Sequence, residues 1–250
     1  MPSALETQQL CKSFGALTVA ESIDFRLEPG ARHALIGPNG AGKTTFVNML
    51  TGAIAPSSGR ILLAGEDITK VNQGARVRRG LGRTFQVTTL FRSLPVLDNV
   101  ALGIAERDRV ARRMWKPASQ HSEITGEAMQ LLATLGLADD ARIPVKDLPY
   151  GRQRLVEIAI ALGLKPKVLL LDEPAAGVPS QDCGRILEVL ATLPGDIAIL
   201  IIEHDMDLVF RFAQRITVLV QGQVLVEGSP EEIAADRRVR DVYLGEATHA

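Results

Sequence analysis

The octapeptide Gly37-Pro38-Asn39-Gly40-Ala41-Gly42-Lys43-Thr44 limits what this chain can fold into more than any other stretch. It fits G-x-x-x-x-G-K-[ST] at every fixed position. An apolar run at 31–36 leads into it and a helix-compatible stretch at 43–50 leads out. Glycines let the backbone curl so that successive N–H groups converge, and the helix that follows adds its positive end. Such a loop cradles a polyphosphate. Lys43 is then expected on the β- and γ-phosphates, and the Thr44 hydroxyl on Mg²⁺. The expected phosphate set is Gly37, Pro38, Asn39, Gly40, Ala41, Gly42, Lys43, Thr44 and Thr45.

A second apolar run, Val168-Leu169-Leu170-Leu171, ends in Asp172-Glu173. A carboxylate at a strand tip suits Mg²⁺, directly or through water, and this role falls to Asp172. Glu173, one residue on, is placed to polarise an attacking water as a general base.

The chain's 250 residues, 46% hydrophobic and 23% charged, suit one compact unit or one core with a subdomain. Aromatics are scarce, so the core is expected to be aliphatic. A formal net charge of -1 offers no basic excess for nucleic acid. Cys11 and Cys183 match no metal spacing and read as free or buried thiols in a reducing compartment. No secretory signal is visible at the amino end, and no run approaches the ~18–20 apolar residues of a membrane span. Any membrane role therefore falls to partners.

Along the chain, the first third reads as strands, with alternation at 22–27, a turn at Glu28-Pro29-Gly30, and a strand at 60–63 after Pro56-Ser57-Ser58-Gly59. Thr51-Gly52 is expected to end the helix after the glycine loop. From 87 to 164 helical patterns dominate, including an arginine-rich stretch at 106–116 that holds Trp115. That stretch reads either as a solvated helix face or as a surface for a membrane partner or lipid headgroups. Buried parallel strands return at 167–171 and 197–202, separated by a helix at 182–193. Residues 216–220 and 223–227 flank Gln221-Gly222 as a hairpin. Ser229-Pro230-Glu231-Glu232 then starts a last short helix.

Further elements narrow the possibilities among phosphate-loop proteins. Gln86 stands in Arg83-Thr84-Phe85-Gln86, and His204 in Ile202-Glu203-His204-Asp205, 31 positions after Glu173. Leu148-Pro149-Tyr150-Gly151-Arg152-Gln153-Arg154 shortly precedes the carboxylate strand, and Phe14 lies in Lys12-Ser13-Phe14-Gly15. In order and spacing these resemble an ABC nucleotide-binding domain over nearly the whole chain. More narrowly, Arg83–Gln86, the Tyr-bearing signature, Asp172-Glu173-Pro174-Ala175-Ala176-Gly177 and the tail from Glu227-Gly228-Ser229-Pro230 to Tyr243-Leu244-Gly245 resemble the ATPase of branched-chain amino acid importers.

The resemblance implies an α/β fold: a P-loop NTPase core of ABC ATPase type with an antiparallel β amino-terminal subdomain and an inserted helical subdomain. Residues 1–86 and 165–250 would form the catalytic core and 87–164 the helical, signature-bearing part. It implies ATP and Mg²⁺ as ligands, with Phe14 stacking on adenine and Thr44, Gln86 and Asp172 around the metal. Glu173, His204, Lys43 and Gln86 would carry catalysis. Tyr150, Gly151 and Arg152 would cap the nucleotide of a second subunit. The implied partners are integral membrane permeases, a sister ATPase or a second copy, and indirectly a solute-binding protein, with no nucleic acid. The implied place is the inner face of the cell membrane, on the cytoplasmic side. The implied work is ATP-driven import of branched-chain amino acids or related small amino acids or amides. The alternatives are an exporter motor, such as one for lipopolysaccharide, or a non-transport ABC ATPase; a P-loop kinase or GTPase would leave the signature and His204 unexplained.

Two departures from the family pattern stand out. The usual Leu-Ser-Gly-Gly-Gln has Pro149 for Ser, Tyr150 for the first Gly and Arg152 for Gln. After Ala176-Gly177, the usual Leu-Asn-Pro is Val178-Pro179-Ser180. Both lean toward a heterodimer in which a sister subunit supplies a fuller signature.

Overall fold

The computed structural model describes residues 2–84, 90–109, 122–178 and 180–246. Two sheets organise the chain. The first is antiparallel: β1 (Leu5–Phe14), β2 (Leu17–Leu27), β4 (Ser58–Leu63) and β5 (Glu66–Asp67), in the order β2-β1-β4-β5. The second holds β3 (Arg32–Ile36), β6 (Leu81–Arg83), β7 (Val168–Asp172), β8 (Ala198–Ile202), β9 (Arg215–Val220) and β10 (Gln223–Gly228), in the order β10-β9-β3-β8-β7-β6. Every pairing in it is parallel except that of β10 with β9, which form the expected hairpin.

The central strands are apolar throughout because both faces are covered. Their side chains divide with period two between two cores. Ile36, Leu169, Leu171, Ile199 and Ile201 join one core, while Leu35, Leu170, Leu200 and Ile202 join the other. The second core lies between this sheet and the antiparallel one and receives Phe46, Val47, Met49 and Leu50 of α1 (Lys43–Thr51). Gly52 ends α1 in the left-handed region, its N–H donated to the Met49 carbonyl. Arg76, on α2 (Gln73–Arg78), is almost wholly buried and donates to the carbonyls of Met49, Leu50, Thr69 and Val71. Its positive charge thereby meets the negative end of α1.

The first core extends into α3 (Val96–Arg107), α4 (Ser122–Thr134) and α5 (Tyr150–Gly163). α3 and α5 cross closely at glycines: a Cβ on Gly103 would stand 3.2 Å from Ile160, and one on Gly163 3.1 Å from Ile104. Helices α6 (Ser180–Ala191), α7 (Met206–Phe212), α8 (Pro230–Ala235) and α9 (Arg237–Glu246) complete the order. Ser229 caps α8 with a full capping box closed by Glu232. Cys11 and Cys183 are free thiols, the latter buried. The segments 85–89, with Gln86, and 110–121, with Trp115 and most of the arginine-rich stretch, lie outside the described residues.

Candidate nucleotide site

β3, β8 and β7 are neighbours, and their carboxyl ends bring the glycine loop, His204 and Asp172-Glu173 to one edge of the sheet. Ligands of open α/β sheets bind at that edge. The glycine loop leaves β3 at Gly37, which is buried where a Cβ would collide with the Leu219 carbonyl oxygen. Gly42 takes φ 97° at the amino end of α1, and a Cβ there would stand 2.6 Å from the Val19 carbonyl oxygen. Neither position admits a side chain. Asn39, Gly40 and Thr44 are exposed, Pro38, Lys43 and Thr45 half-buried, and Ala41 buried. Lys43 arches back across the loop, its Nζ donating to the carbonyls of Gly37 at 2.6 Å and Pro38 at 2.9 Å.

The loop is laced to both hairpins. Gly222 donates its N–H to the Ala41 carbonyl at 3.0 Å, and Glu21 donates to the Gly222 carbonyl at 2.9 Å. The β1–β2 hairpin that flanks the loop carries Phe14 near its tip, 50% exposed, with Lys12 Nζ 4.9 Å from the ring centroid. An exposed aromatic ring under a cation is no core residue; it offers a stacking face.

Asp172 is 5% exposed and its Oδ2 accepts Arg83 Nη2 at 2.8 Å. The other arm of Arg83, Nη1, donates to Asn48 Oδ1 on α1 at 2.8 Å, so one guanidinium joins the strand tip to the loop's helix. Glu173 follows at φ 47°, a strained backbone for a non-glycine residue, held by donation of its N–H to the Ile202 carbonyl at 2.9 Å. His204 is well exposed. Its Nδ1 stands 4.0 Å from Glu173 Oε1 and 3.9 Å from Glu203 Oε2. Glu203 is buried, and burial pushes its carboxyl above the usual range, opposed by N–H donation from Ala175 and His204.

Among the described residues no three His, Cys, Asp or Glu side chains group as a metal cluster. One threonine hydroxyl and one carboxylate, Thr44 and Asp172, are the oxygen donors that Mg²⁺ takes when substrate phosphates and water complete its shell. The donor set fits that ion.

The signature segment differs from its sequence expectation in detail. Pro149 is the N-cap of α5 and accepts N–H groups from Arg152 at 3.0 Å and Gln153 at 3.1 Å. Tyr150 is exposed and Gly151 is buried. Arg152 has partners within its own chain. Its Nη1 pairs with the buried Asp140 at 2.8 Å and its Nη2 donates to the Gly136 carbonyl at 3.0 Å. The pair gives the buried Asp140 carboxylate a compensating charge. The exposed Tyr150 ring also touches its own chain, with Arg154 5.1 Å from its centroid and Gly177 against its edge. Gln86 and Pro179 lie outside the described residues. Sequence reasoning assigned nothing to Arg83, Asn48 or Glu203, which share the site.

The ABC transporter family model matches residues 20–176, and the model for branched-chain amino acid ATP-binding cassette transporters matches 223–249. The chain is 36% identical to the high-affinity branched-chain amino acid transport ATP-binding protein LivG of Escherichia coli K12, over 97% of this chain and 98% of LivG. It is equally similar, over the same shares, to BraF of Pseudomonas aeruginosa, which bears the same description. Among solved structures, the ADP conformation of MJ1267, an ATP-binding cassette of an ABC transporter, superposes with a TM-score of 0.87 at 29% identity, over 98% of this chain and 100% of that one.

Proposed function

This chain belongs to the ABC transporter family of ATP-binding proteins, and from that premise we propose that it powers the import of branched-chain amino acids or related small amino acids or amides. The collinear match to LivG and BraF, end to end, is the observation that carries the cargo class. The match of the tail to the branched-chain model supports it.

ATP binds with its triphosphate in the 37–45 loop, whose N–H groups and helix end supply converging donors. Lys43 exchanges the carbonyls of Gly37 and Pro38 for the β- and γ-phosphates. Phe14 offers its exposed face to the adenine. Thr44, Asp172 and Gln86 would hold Mg²⁺, which would neutralise charge on the phosphates. Glu173 orients and polarises the attacking water, and His204 contacts the γ-phosphoryl group. His204, which meets the γ-phosphate, is exposed to solvent in a single chain. Water must be excluded before hydrolysis becomes productive. A second ATPase subunit supplies that cover by presenting Tyr150, Gly151 and Arg152 at the amino end of α5, which the Arg152–Asp140 pair anchors.

No helix among the described residues is long and apolar enough to cross a membrane. The work is therefore delivered to integral permease subunits, met by the helical part at 87–164 on the cytoplasmic face of the membrane. Affinity purification of the tagged chain from gently solubilised membranes tests this. Two permease subunits and a second ATPase should co-purify. Recovery of lipid-export components, or of ribosomes without membrane proteins, would refute import.

A further inference from the structure

Glu203 has no part in the hydrolytic scheme above, yet it is a nearly fully buried carboxylate at the edge of the site, 2% exposed. It is the first residue past β8. Its two oxygens face different segments. Oε1 accepts the N–H of Ala175 at 3.0 Å, two residues beyond Glu173, and Oε2 accepts the N–H of His204 at 3.3 Å. A parallel link runs beside it, from the Glu173 N–H to the Ile202 carbonyl. Segments 173–175 and 202–204 are thus laced twice, once by backbone and once through this side chain. Beside the lacing, His204 Nδ1 lies 3.9 Å from Glu203 and 4.0 Å from Glu173.

A buried carboxylate is costly, and burial raises the Glu203 pKa accordingly. A leucine at this place would avoid that cost. What leucine lacks is a pair of acceptors set the right distance apart to hold two backbone segments. We propose that Glu203 is a positioning residue that fixes the separation of Glu173 from His204 and ties it to the path of the chain leaving Glu173. Catalytic groups must be held within a fraction of an ångström, and a single carboxylate bridging both loops does so. The inference rests on the reading of Glu173 as the base and His204 as the γ-phosphate contact.

The test compares Glu203→Gln and Glu203→Leu with Glu173→Gln and His204→Ala in the full-length protein. Turnover, KM for ATP, affinity for a non-hydrolysable ATP analogue and the amide proton shifts of Ala175 and His204 are measured. Glu203→Leu should lower kcat by about tenfold or more with analogue affinity little changed. Glu203→Gln keeps one acceptor and the same shape, so it should recover part of that loss, and it carries the test alone if the leucine variant fails to fold. In Glu203→Gln the His204 amide proton should move upfield, having lost a charged acceptor. Undiminished kcat in folded Glu203 variants, an unmoved His204 amide in the glutamine variant, or a parallel fall of kcat and affinity would overturn the inference. Full turnover in Glu173→Gln or His204→Ala would instead refute the underlying reading of the site.

Discussion

Arg83 spans two groups that the fold brings together, Asn48 on α1 and the buried Asp172 on β7. Replacing it with leucine strands a buried carboxylate, and urea unfolding of Arg83→Leu should show a loss of about 3–5 kcal/mol. A loss under about 1 kcal/mol would mean that the pair contributes little. At this scale the sequence is informative wherever chemistry sits in one short stretch. Lys43 and Thr44 follow their glycines, and Asp172-Glu173 follow their strand, so pattern and placement arrive together. Arg83 offers no such signal, because its partner is 89 positions away and β6 must first settle beside β7. The pairing of Arg152 with Asp140 is hidden for a related reason: the buried Asp140 becomes its neighbour only after folding.

β3 carries a buried histidine into the centre of the second sheet. The Thr217 hydroxyl donates to Glu227 at 2.9 Å, so His33 Nε2, 2.8 Å from the same hydroxyl, is the donor. Burial pushes its pKa down from 6.5 to about 4. Because the folded value lies below the unfolded one, the stability contribution is whole above about pH 6.5 and disappears as pH falls toward about 4. It amounts to about 3 kcal/mol. Urea midpoints measured from pH 7.5 to 4.5 should fall more steeply for the wild type than for His33→Gln; parallel slopes would contradict this assignment. The glycine-loop helix has its own dependence, on Arg76. Arg76→Met removes the donor from two buried hydrogen bonds, to Met49 and Leu50, and two part-buried ones, and should cost about 3 kcal/mol while weakening nucleotide binding through a frayed α1. Unchanged melting would contradict that. Elements with strong apolar period and punctuation, such as β3, α1, β7, β8 and the β9–β10 hairpin, were legible from the sequence. β6 has three residues with a glycine at its centre, and α2 has six residues, too few for either period to register.

As a whole, the molecule gathers its candidate site at the carboxyl edge of its parallel sheet. Its glycine loop, its carboxylates and His204 come from three adjacent strands. Cover and coupling do depend on partners, and these lie beyond what one chain's sequence spells out, since they turn on surfaces that only complementary chains define. The claim most exposed to test is that Glu173 performs the hydrolytic step on ATP held by the Lys43 loop. ATP binding and turnover of Glu173→Gln, set beside the wild type, measure it directly. The account predicts retained ATP binding with turnover reduced by about a hundredfold or more; near-normal turnover would remove Glu173 from catalysis and contradict the account.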